Sequence, residues 1–182
     1  MRYYRRIILS LLCGLASLHM VHADTLTVEL ELPVIRTPQY EAPFVAVWLE
    51  QKGQRRALQT LSVWYNDKKW LKDLRRWWRK AGRYGEENFD AVSSASRVAG
   101  RYKERWELTD IAAGDYILYL EAAREHGDRT VLKQPIRFGA AQAQQFELVG
   151  GKEIGAVSIQ IKPTQVTQST TEAQVQPQPV QE

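Results

Sequence analysis

Thr25-Leu26-Thr27-Val28-Glu29-Leu30-Glu31-Leu32 alternates strictly between polar and apolar residues. Successive side chains of a β-strand point to opposite faces of a sheet, so this stretch predicts a strand with one buried face and one solvated face. Phe44 to Leu49 is a more continuous apolar run, which is typical of a central strand covered on both faces.

Further strand patterns follow along the chain, separated by turns that contain Gly, Pro or Asp. They are Ala57 to Tyr65, Arg101 to Leu108, Asp115 to Ala122, Thr130 to Phe138, Gln144 to Val149 and Gly155 to Ile161. Eight short strands with such turns predict an all-β fold, an antiparallel β-sandwich of immunoglobulin-like type over residues 24–162. From Pro163 the composition changes to Thr, Gln, Pro, Ser and Val, so residues 163–182 are predicted to form a disordered tail.

One amphipathic helix is predicted to interrupt the strands. Five residues recur at the spacing of a single helical face: Trp70, Leu74, Trp77, Trp78 and Ala81. Asn66 or Asp67 can cap the start of this helix, and Gly82 can end it. Its other face is cationic, with Lys69, Lys72, Arg75, Arg76, Arg79 and Lys80, flanked by Lys68 and Arg83.

The N-terminus has the pattern of a secretory signal peptide. Arg2, Arg5 and Arg6 form a basic region, Ile7 to Ala16 is mostly apolar, and Val21-His22-Ala23 places small residues at a cleavage site. The apolar run is shorter than the roughly 20 residues that span a bilayer. We therefore expect residues 1–23 to be removed, leaving a periplasmic protein without a transmembrane span.

Removal of this segment changes what the composition allows. The chain has 25 Lys and Arg and 21 Asp and Glu, and residues 1–23 hold three of the arginines, so the mature chain carries a net charge of +1. This balance gives no reason to expect nucleic acid as a partner. Cys13, His19 and His22 are also removed, which leaves no cysteine and a single histidine, His126. We therefore expect no metal site and find no convincing catalytic constellation, so an enzyme is not predicted.

Aromatic, basic and titratable residues cluster in two places, which we predict to form a binding surface. They are Trp70, Arg75, Arg76, Trp77, Trp78 and Arg79 on the helix, and Arg124, Glu125 and His126 at the end of a strand. Adjacent tryptophans of one helix cannot both point inward, so either Trp77 or Trp78 is expected at the helix margin. Arg124 is expected to meet Glu121 or Glu147 on a neighbouring strand. The basic helix face is either an ordinary solvated face or a docking patch for an acidic partner, an anionic ligand or a membrane surface.

The octet Asp90-Ala91-Val92-Ser93-Ser94-Ala95-Ser96-Arg97 resembles the site at which exported electron-transfer proteins carry covalently bound FMN. In those proteins an acidic residue precedes a Ser/Thr-Gly-Ala-Thr core, and the threonine hydroxyl is linked to FMN. The resemblance assigns cofactor binding to Asp90, Ser93 and Ser96, with Ser96 as the acceptor. Ser94 stands in place of the glycine and Ser96 in place of the threonine, which leaves a loop held by turn hydrogen bonds as the alternative.

Several segments together resemble the predicted periplasmic family catalogued as domain of unknown function 2271. They are residues 43–48, 61–65, 69–78, 90–97, 114–116, 121–127 and 153–156. The specific features are the tryptophan spacing and the run Glu121-Ala122-Ala123-Arg124-Glu125-His126-Gly127. The resemblance implies partnership with PepSY-type membrane reductases and flavin transferases, in systems for acquiring iron or other metals.

These observations lead to three functional hypotheses. The first is a periplasmic accessory or binding protein of a membrane-associated redox or metal-uptake system, whose partner is a periplasmic or inner-membrane redox or transport protein. The second is an electron-transfer protein that carries FMN on Ser96. The third is a non-redox sandwich that binds a carbohydrate or another ligand through exposed aromatic side chains.

Overall fold

In a computed structural model that describes residues 23–85 and 89–164, the strands form two packed sheets. The strands are β1 Ala23–Leu32, β2 Phe44–Gln51, β3 Gln59–Trp64, β4 Ser93–Ser94, β5 Gly100–Leu108, β6 Gly114–Ala123, β7 Arg129–Phe138, β8 Gln144–Leu148 and β9 Val157–Thr164. The first sheet has the order β5-β1-β9-β8, and the second has the order β4-β3-β2-β6-β7. The predicted β-sandwich is confirmed, whereas its immunoglobulin-like type stays a prediction.

The main core lies between the two sheets and is built from the alternating strands. Leu26, Val28, Leu30 and Leu32 of β1 point into it, as the sequence pattern predicts. On the solvated face of the first sheet, neighbouring strands place acidic and basic side chains opposite each other, such as Glu29 opposite Lys103. Cross-strand pairs of opposite charge add modest stability to such a face.

Strand β2 is buried on both faces, as its continuous apolar run predicts. Val45, Val47 and Leu49 face the first sheet, and Ala46 and Trp48 face outward into a second apolar cluster. A helical layer over the outer face of the second sheet covers this cluster. The architecture is therefore a sandwich with a partial third layer on one side.

The helical layer is not the single continuous helix that the spacing predicts. It consists of a 3-10 turn at Lys68–Asp73, the short helix α1 at Arg75–Lys80 and a second 3-10 turn at Gly82–Tyr84. The break is at Leu74, whose ψ of 67° is not helical. Leu74 is nevertheless fully buried, so the break turns its side chain onto the sheet instead of interrupting the apolar face.

The predicted start signal is found at Asp67, whereas α1 ends at Lys80 and Gly82 begins the second 3-10 turn. Asp67 caps the first turn by accepting a hydrogen bond from the Lys69 backbone N–H at 2.9 Å. At the other end, a Cβ on Gly82 would lie 2.4 Å from the Trp78 indole and 2.8 Å from the Trp77 indole. Glycine is therefore required where the chain turns across these two rings.

The last strand extends slightly beyond the predicted limit of the domain. In β9, Pro163 lies opposite Asp24 and Thr164 lies opposite Ala23, so the strand includes two residues that the sequence pattern assigns to the tail. Residues 1–22, which hold nearly all of the predicted signal peptide, and residues 165–182 of the predicted tail lie outside the described residues.

Candidate functional site

A buried ionic stack lies beneath α1. The Tyr119 ring stacks on Trp48 with a centroid separation of 5.1 Å, and the Arg76 guanidinium lies 4.0 Å from the Tyr119 centroid on the helix side. Glu50, which is only 5% exposed, accepts hydrogen bonds from Arg76 Nη2 at 3.0 Å and from Trp48 Nε1 at 3.0 Å. Lys80 Nζ lies 3.5 Å from the same carboxylate. Arg76, predicted as a surface residue, thus binds α1 to the sheet.

Tyr119 should titrate unusually late. Burial raises its pKa above the ordinary tyrosine value of 10.0, the positive charge of Arg76 opposes this rise, and the negative charge of Glu50 adds to it. Because the folded pKa exceeds the unfolded pKa, the associated stability is intact below about pH 10 and is lost as pH rises through the folded pKa. In an absorbance titration of phenolate formation, Tyr119→Phe should remove the last component; persistence of that component would contradict the assignment.

Glu121 anchors the start of α1 from a neighbouring strand. Its carboxylate is fully buried and accepts the backbone N–H groups of Arg76 at 3.1 Å and Trp77 at 2.8 Å. Arg129 Nε donates to the same carboxylate at 2.5 Å. These N–H groups belong to the first turn of a helix, where no partner within the helix is available. Glu121 therefore acts as a helix cap supplied by the sheet.

Arg124 and Glu153 form a second buried ion pair, which joins two loops. Arg124 Nη2 donates to Glu153 Oε1 at 3.1 Å, and their side chains are 7% and 0% exposed. Glu153 also accepts the Asp128 backbone N–H at 2.9 Å and donates its own N–H to Thr130 Oγ1 at 3.0 Å. The expectation that Arg124 meets Glu121 or Glu147 is wrong. Glu121 instead accepts hydrogen bonds at the start of α1, and the partner of Arg124 is Glu153, which lies on the loop after β8.

The turn that follows Arg124 exposes the end of the Glu121–Gly127 run. His126 has a left-handed φ of 55°, and its imidazole lies 3.7 Å from Glu125 with 86% of the side chain exposed. A Cβ on Gly127 would lie 2.7 Å from Arg124 Nε, so glycine leaves room for the buried arginine. Most of this run therefore has a structural role, and only His126, Gly127 and part of Glu125 are exposed.

The exposed cations of the helical layer join those of the β2–β3 turn to form one surface, here called the cationic face. It comprises Lys52, Arg55, Arg56, Lys68, Lys69, Lys72, Arg75, Arg79 and Arg83. The turn is fastened to the helical layer because the Ala57 N–H donates to the Lys80 carbonyl at 2.9 Å and Lys80 Nζ donates to the Gln54 carbonyl at 3.2 Å. The three turn cations were missed by sequence reasoning, although residues 52–83 hold eleven Lys and Arg and only two Asp.

The predicted aromatic members of the binding surface divide between the core and its margin. Trp77 is fully buried and donates from Nε1 to Thr60 Oγ1 at 3.0 Å. Trp78 and Trp70 are half-buried, so the expectation that one of the adjacent tryptophans lies at the margin is met by Trp78. Lys69 Nζ lies 5.0 Å from the Trp70 ring centroid and covers part of that ring.

The octet at 90–97 lies against the edge of the second sheet. Ser93 and Ser94 form β4, which pairs in parallel with Val63 and Trp64, and the Ser94 carbonyl accepts the Tyr65 N–H at 2.9 Å. The Arg97 guanidinium lies 4.0 Å from the Trp64 ring centroid. Two further contacts complete the arrangement: Arg97 Nη2 donates to Glu104 at 3.0 Å, and Trp64 Nε1 donates to the same carboxylate at 3.1 Å.

This arrangement does not fit an FMN acceptor. Ser96 Oγ is buried and, among the described residues, has no hydrogen-bond partner. The Ser96 backbone N–H is held by Asn66 Oδ1 at 3.0 Å. A phosphate group therefore has no path to the hydroxyl unless the loop opens. The side chain of Asp90 lies outside the described residues.

A comparison with family models places the chain. Residues 25–156 match the family described as predicted periplasmic protein (DUF2271). The chain belongs to this family. No curated protein and no solved structure matches the chain.

The DUF2271 assignment agrees with the predicted periplasmic location, because the family itself is described as periplasmic. Within the part of the chain that the structure describes, none of the helices has the length and apolar character needed to cross a membrane. Across residues 23–85 and 89–164, no three His, Cys, Asp or Glu side chains are grouped so as to hold a metal ion.

Proposed function

We propose that this DUF2271 protein is a periplasmic accessory protein that docks, through its cationic face, onto an acidic surface of a membrane-associated protein. The resemblance described above suggests that this partner belongs to a redox or metal-uptake system. The observation that carries the proposal is the segregation of charge. Residues 52–83 hold eleven Lys and Arg against two Asp, whereas the rest of the chain after residue 23 holds eleven against nineteen Asp and Glu.

Three cations of the cationic face are available to a partner. Among the described residues, Lys72, Arg75 and Arg79 are exposed and form no ion pair. On the outer face of the first sheet, by contrast, Arg101, Lys103 and Arg105 each lie within 4.0 Å of a glutamate. Unpaired like charges on one surface repel one another, and an acidic partner relieves that repulsion while steering the encounter.

An acidic protein surface suits this face better than a lipid surface. Membrane-surface helices insert large apolar side chains beneath their cations. Here the largest apolar side chains of the helical layer, Leu71, Leu74 and Trp77, are buried against the sheet. The half-buried Trp70 ring is partly covered by Lys69. The exposed apolar surface of the helical layer and the β2–β3 turn lies mainly on Leu58, Tyr84 and the margins of Trp70 and Trp78, so charge dominates the face.

The other two functional hypotheses gain no support from the geometry. Covalent attachment of FMN requires a hydroxyl that the phosphate can reach, and Ser96 Oγ is buried. Sugar binding requires an exposed aromatic platform, but Trp48, Trp64 and Trp77 are fully buried and Trp70 and Trp78 are half-buried. The more exposed Tyr84 ring is contacted by two arginines, Arg56 and Arg83.

Charge reversal tests the docking proposal. The variant Lys72→Glu, Arg75→Glu, Arg79→Glu leaves Arg76 in place because that residue holds Glu50 beneath α1. Its affinity for a fluorescent polyglutamate peptide should fall about tenfold or more, since three favourable charge contacts become unfavourable. Fluorescence anisotropy of the secreted protein, measured at low and physiological salt, provides the affinity.

The matched control reverses the same number of charges on the opposite side of the sandwich. Arg101→Glu, Lys103→Glu, Arg105→Glu lies on the outer face of the first sheet and should leave the affinity within about twofold of the wild type. Equal losses in both variants would show that only net charge matters and would contradict a defined face. Tighter binding to phosphatidylglycerol vesicles than to polyglutamate would overturn the protein partner in favour of a lipid surface.

A further inference from the structure

Arginines stacked on aromatic rings recur in this protein, and most of them also hold a carboxylate. Arg76 stacks on Tyr119 and pairs with Glu50 at 3.0 Å. The same combination occurs twice more: Arg97 stacks on Trp64 and pairs with Glu104, and Arg124 lies over Tyr40 and pairs with Glu153. For Arg76 and Arg97, at 4.0 Å from the ring centroid, the ring covers one face of the guanidinium, whereas Arg124 lies 6.0 Å from the Tyr40 centroid. In all three cases the guanidinium N–H groups bind a carboxylate.

The Tyr84 ring contacts two arginines, Arg56 and Arg83, that have no carboxylate partner within the part of the chain that the structure describes. The guanidinium carbons of Arg56 and Arg83 lie 4.3 Å and 4.7 Å from its ring centroid, and Arg83 Nη2 also donates to the Tyr84 hydroxyl. Among the described residues, neither arginine forms an ion pair with an acidic side chain. The ring is 44% exposed, so this group opens directly to solvent.

The convergence of these two arginines is built into the fold. Arg56 belongs to the β2–β3 turn and Arg83 to the 3-10 turn Gly82–Tyr84, two segments that are distant in sequence. The hydrogen bond from the Ala57 N–H to the Lys80 carbonyl holds the two segments together next to this point. The rotamers of both arginines are thus partly ordered before any partner arrives, which reduces the entropy lost on binding.

We infer that Arg56 and Arg83, whose rotamers are partly ordered by contact with Tyr84, form the anchor of the cationic face and bind a carboxylate side chain of the acidic partner. This inference rests on the proposed docking function and specifies its centre. The partner supplies the carboxylate that Glu50, Glu104 and Glu153 supply to the other stacked arginines. Aromatic residues and arginines are also the types that most often dominate binding energy at protein interfaces.

Two lysine variants with equal charge test the anchor. Arg56→Lys, Arg83→Lys keeps both positive charges but removes the planar, multiply donating guanidinium groups. It should bind the polyglutamate peptide about tenfold more weakly than the wild type, because bidentate hydrogen bonds to carboxylates are lost. The control Arg101→Lys, Arg105→Lys alters two exposed arginines on the opposite side of the sandwich, outside the cationic face, and should change the affinity less than about twofold.

The outcomes separate this inference from the docking proposal. If the wild type fails to bind polyglutamate and charge reversal has no effect, the docking function itself is wrong. If charge reversal abolishes binding but the two lysine variants behave alike, docking stands and the anchor is wrong. Inorganic phosphate that competes with the peptide more strongly than acetate would overturn a carboxylate ligand in favour of a phosphate. Circular dichroism of each variant confirms that the fold is retained.

Discussion

Replacing Trp77 by alanine should lower the free energy of unfolding by about 3–5 kcal/mol, the usual range for removing a large aromatic side chain from a core. Trp77 is fully buried in the outer cluster, where its ring lies 5.0 Å from that of Phe89. Its Nε1–H bonds to Thr60 of the sheet. The substitution leaves a cavity between α1 and the sheet and an unpaired Thr60 hydroxyl. The helical layer should therefore loosen first.

The adjacent tryptophan supplies the control for this experiment. Trp78 has the same side chain and is the next residue of α1, but it is only half-buried. Trp78→Ala should therefore cost less than about 2 kcal/mol, in proportion to the smaller apolar area that it removes from water. Urea denaturation followed by circular dichroism gives both values. Equal losses of unfolding free energy would show that the two rings contribute alike and would contradict the burial of the Trp77 ring between α1 and the sheet.

Alternation in the sequence was sufficient to predict the sandwich, because burial of one strand face depends on a local pattern. The stretch Thr25 to Leu32 became β1, with its apolar residues in the core. The run Phe44 to Leu49 became a strand buried on both sides. The two-residue strand β4 was missed, since Ser93 and Ser94 carry no apolar pattern and pair only because the loop returns to β3.

The helical layer shows where a local pattern fails. The spacing of Trp70, Leu74 and Trp77 fits one helical face, yet the helix breaks at Leu74. The cause lies elsewhere in the chain: Glu121 caps the first turn of α1 and thereby sets where that helix begins. Because Glu121 lies on a strand that is distant in sequence, the spacing of residues within the helix does not predict where the helix begins.

The candidate surface was predicted only in part for the same reason. Arg75 and Arg79 are exposed on the cationic face, as the helical pattern predicts. Arg76 and Arg124 instead lie against Glu50 and Glu153, whose positions are fixed by strand pairing and loop packing. The run Glu121 to Gly127, the most specific motif of the sequence, binds α1 to the sheet through Glu121 and joins two loops through Arg124.

Removal of the Glu121 carboxylate is the most direct test of that structural role. Glu121→Ala should destabilise the protein by about 3–5 kcal/mol, as expected when one partner of a buried ion pair is lost. The Arg129 guanidinium would lose its carboxylate, and the N–H groups of Arg76 and Trp77 would lose their acceptor. Glu125→Ala is the control, because Glu125 is partly exposed and, among the described residues, its carboxylate forms an ion pair only with the exposed His126, at 3.7 Å.

The free energy alone does not distinguish a helix cap from a general contribution to the core, but hydrogen exchange does. If Glu121 caps α1, the Trp77 amide should exchange much faster in Glu121→Ala, while amides in β1 keep their protection relative to global unfolding. Glu121→Gln should be intermediate, since its amide oxygen can accept one backbone N–H but cannot neutralise Arg129. Uniform loss of protection across β1 and α1 would contradict the cap. The selective result would show that one buried carboxylate connects the run Glu121 to Gly127 to the layer that carries the cationic face.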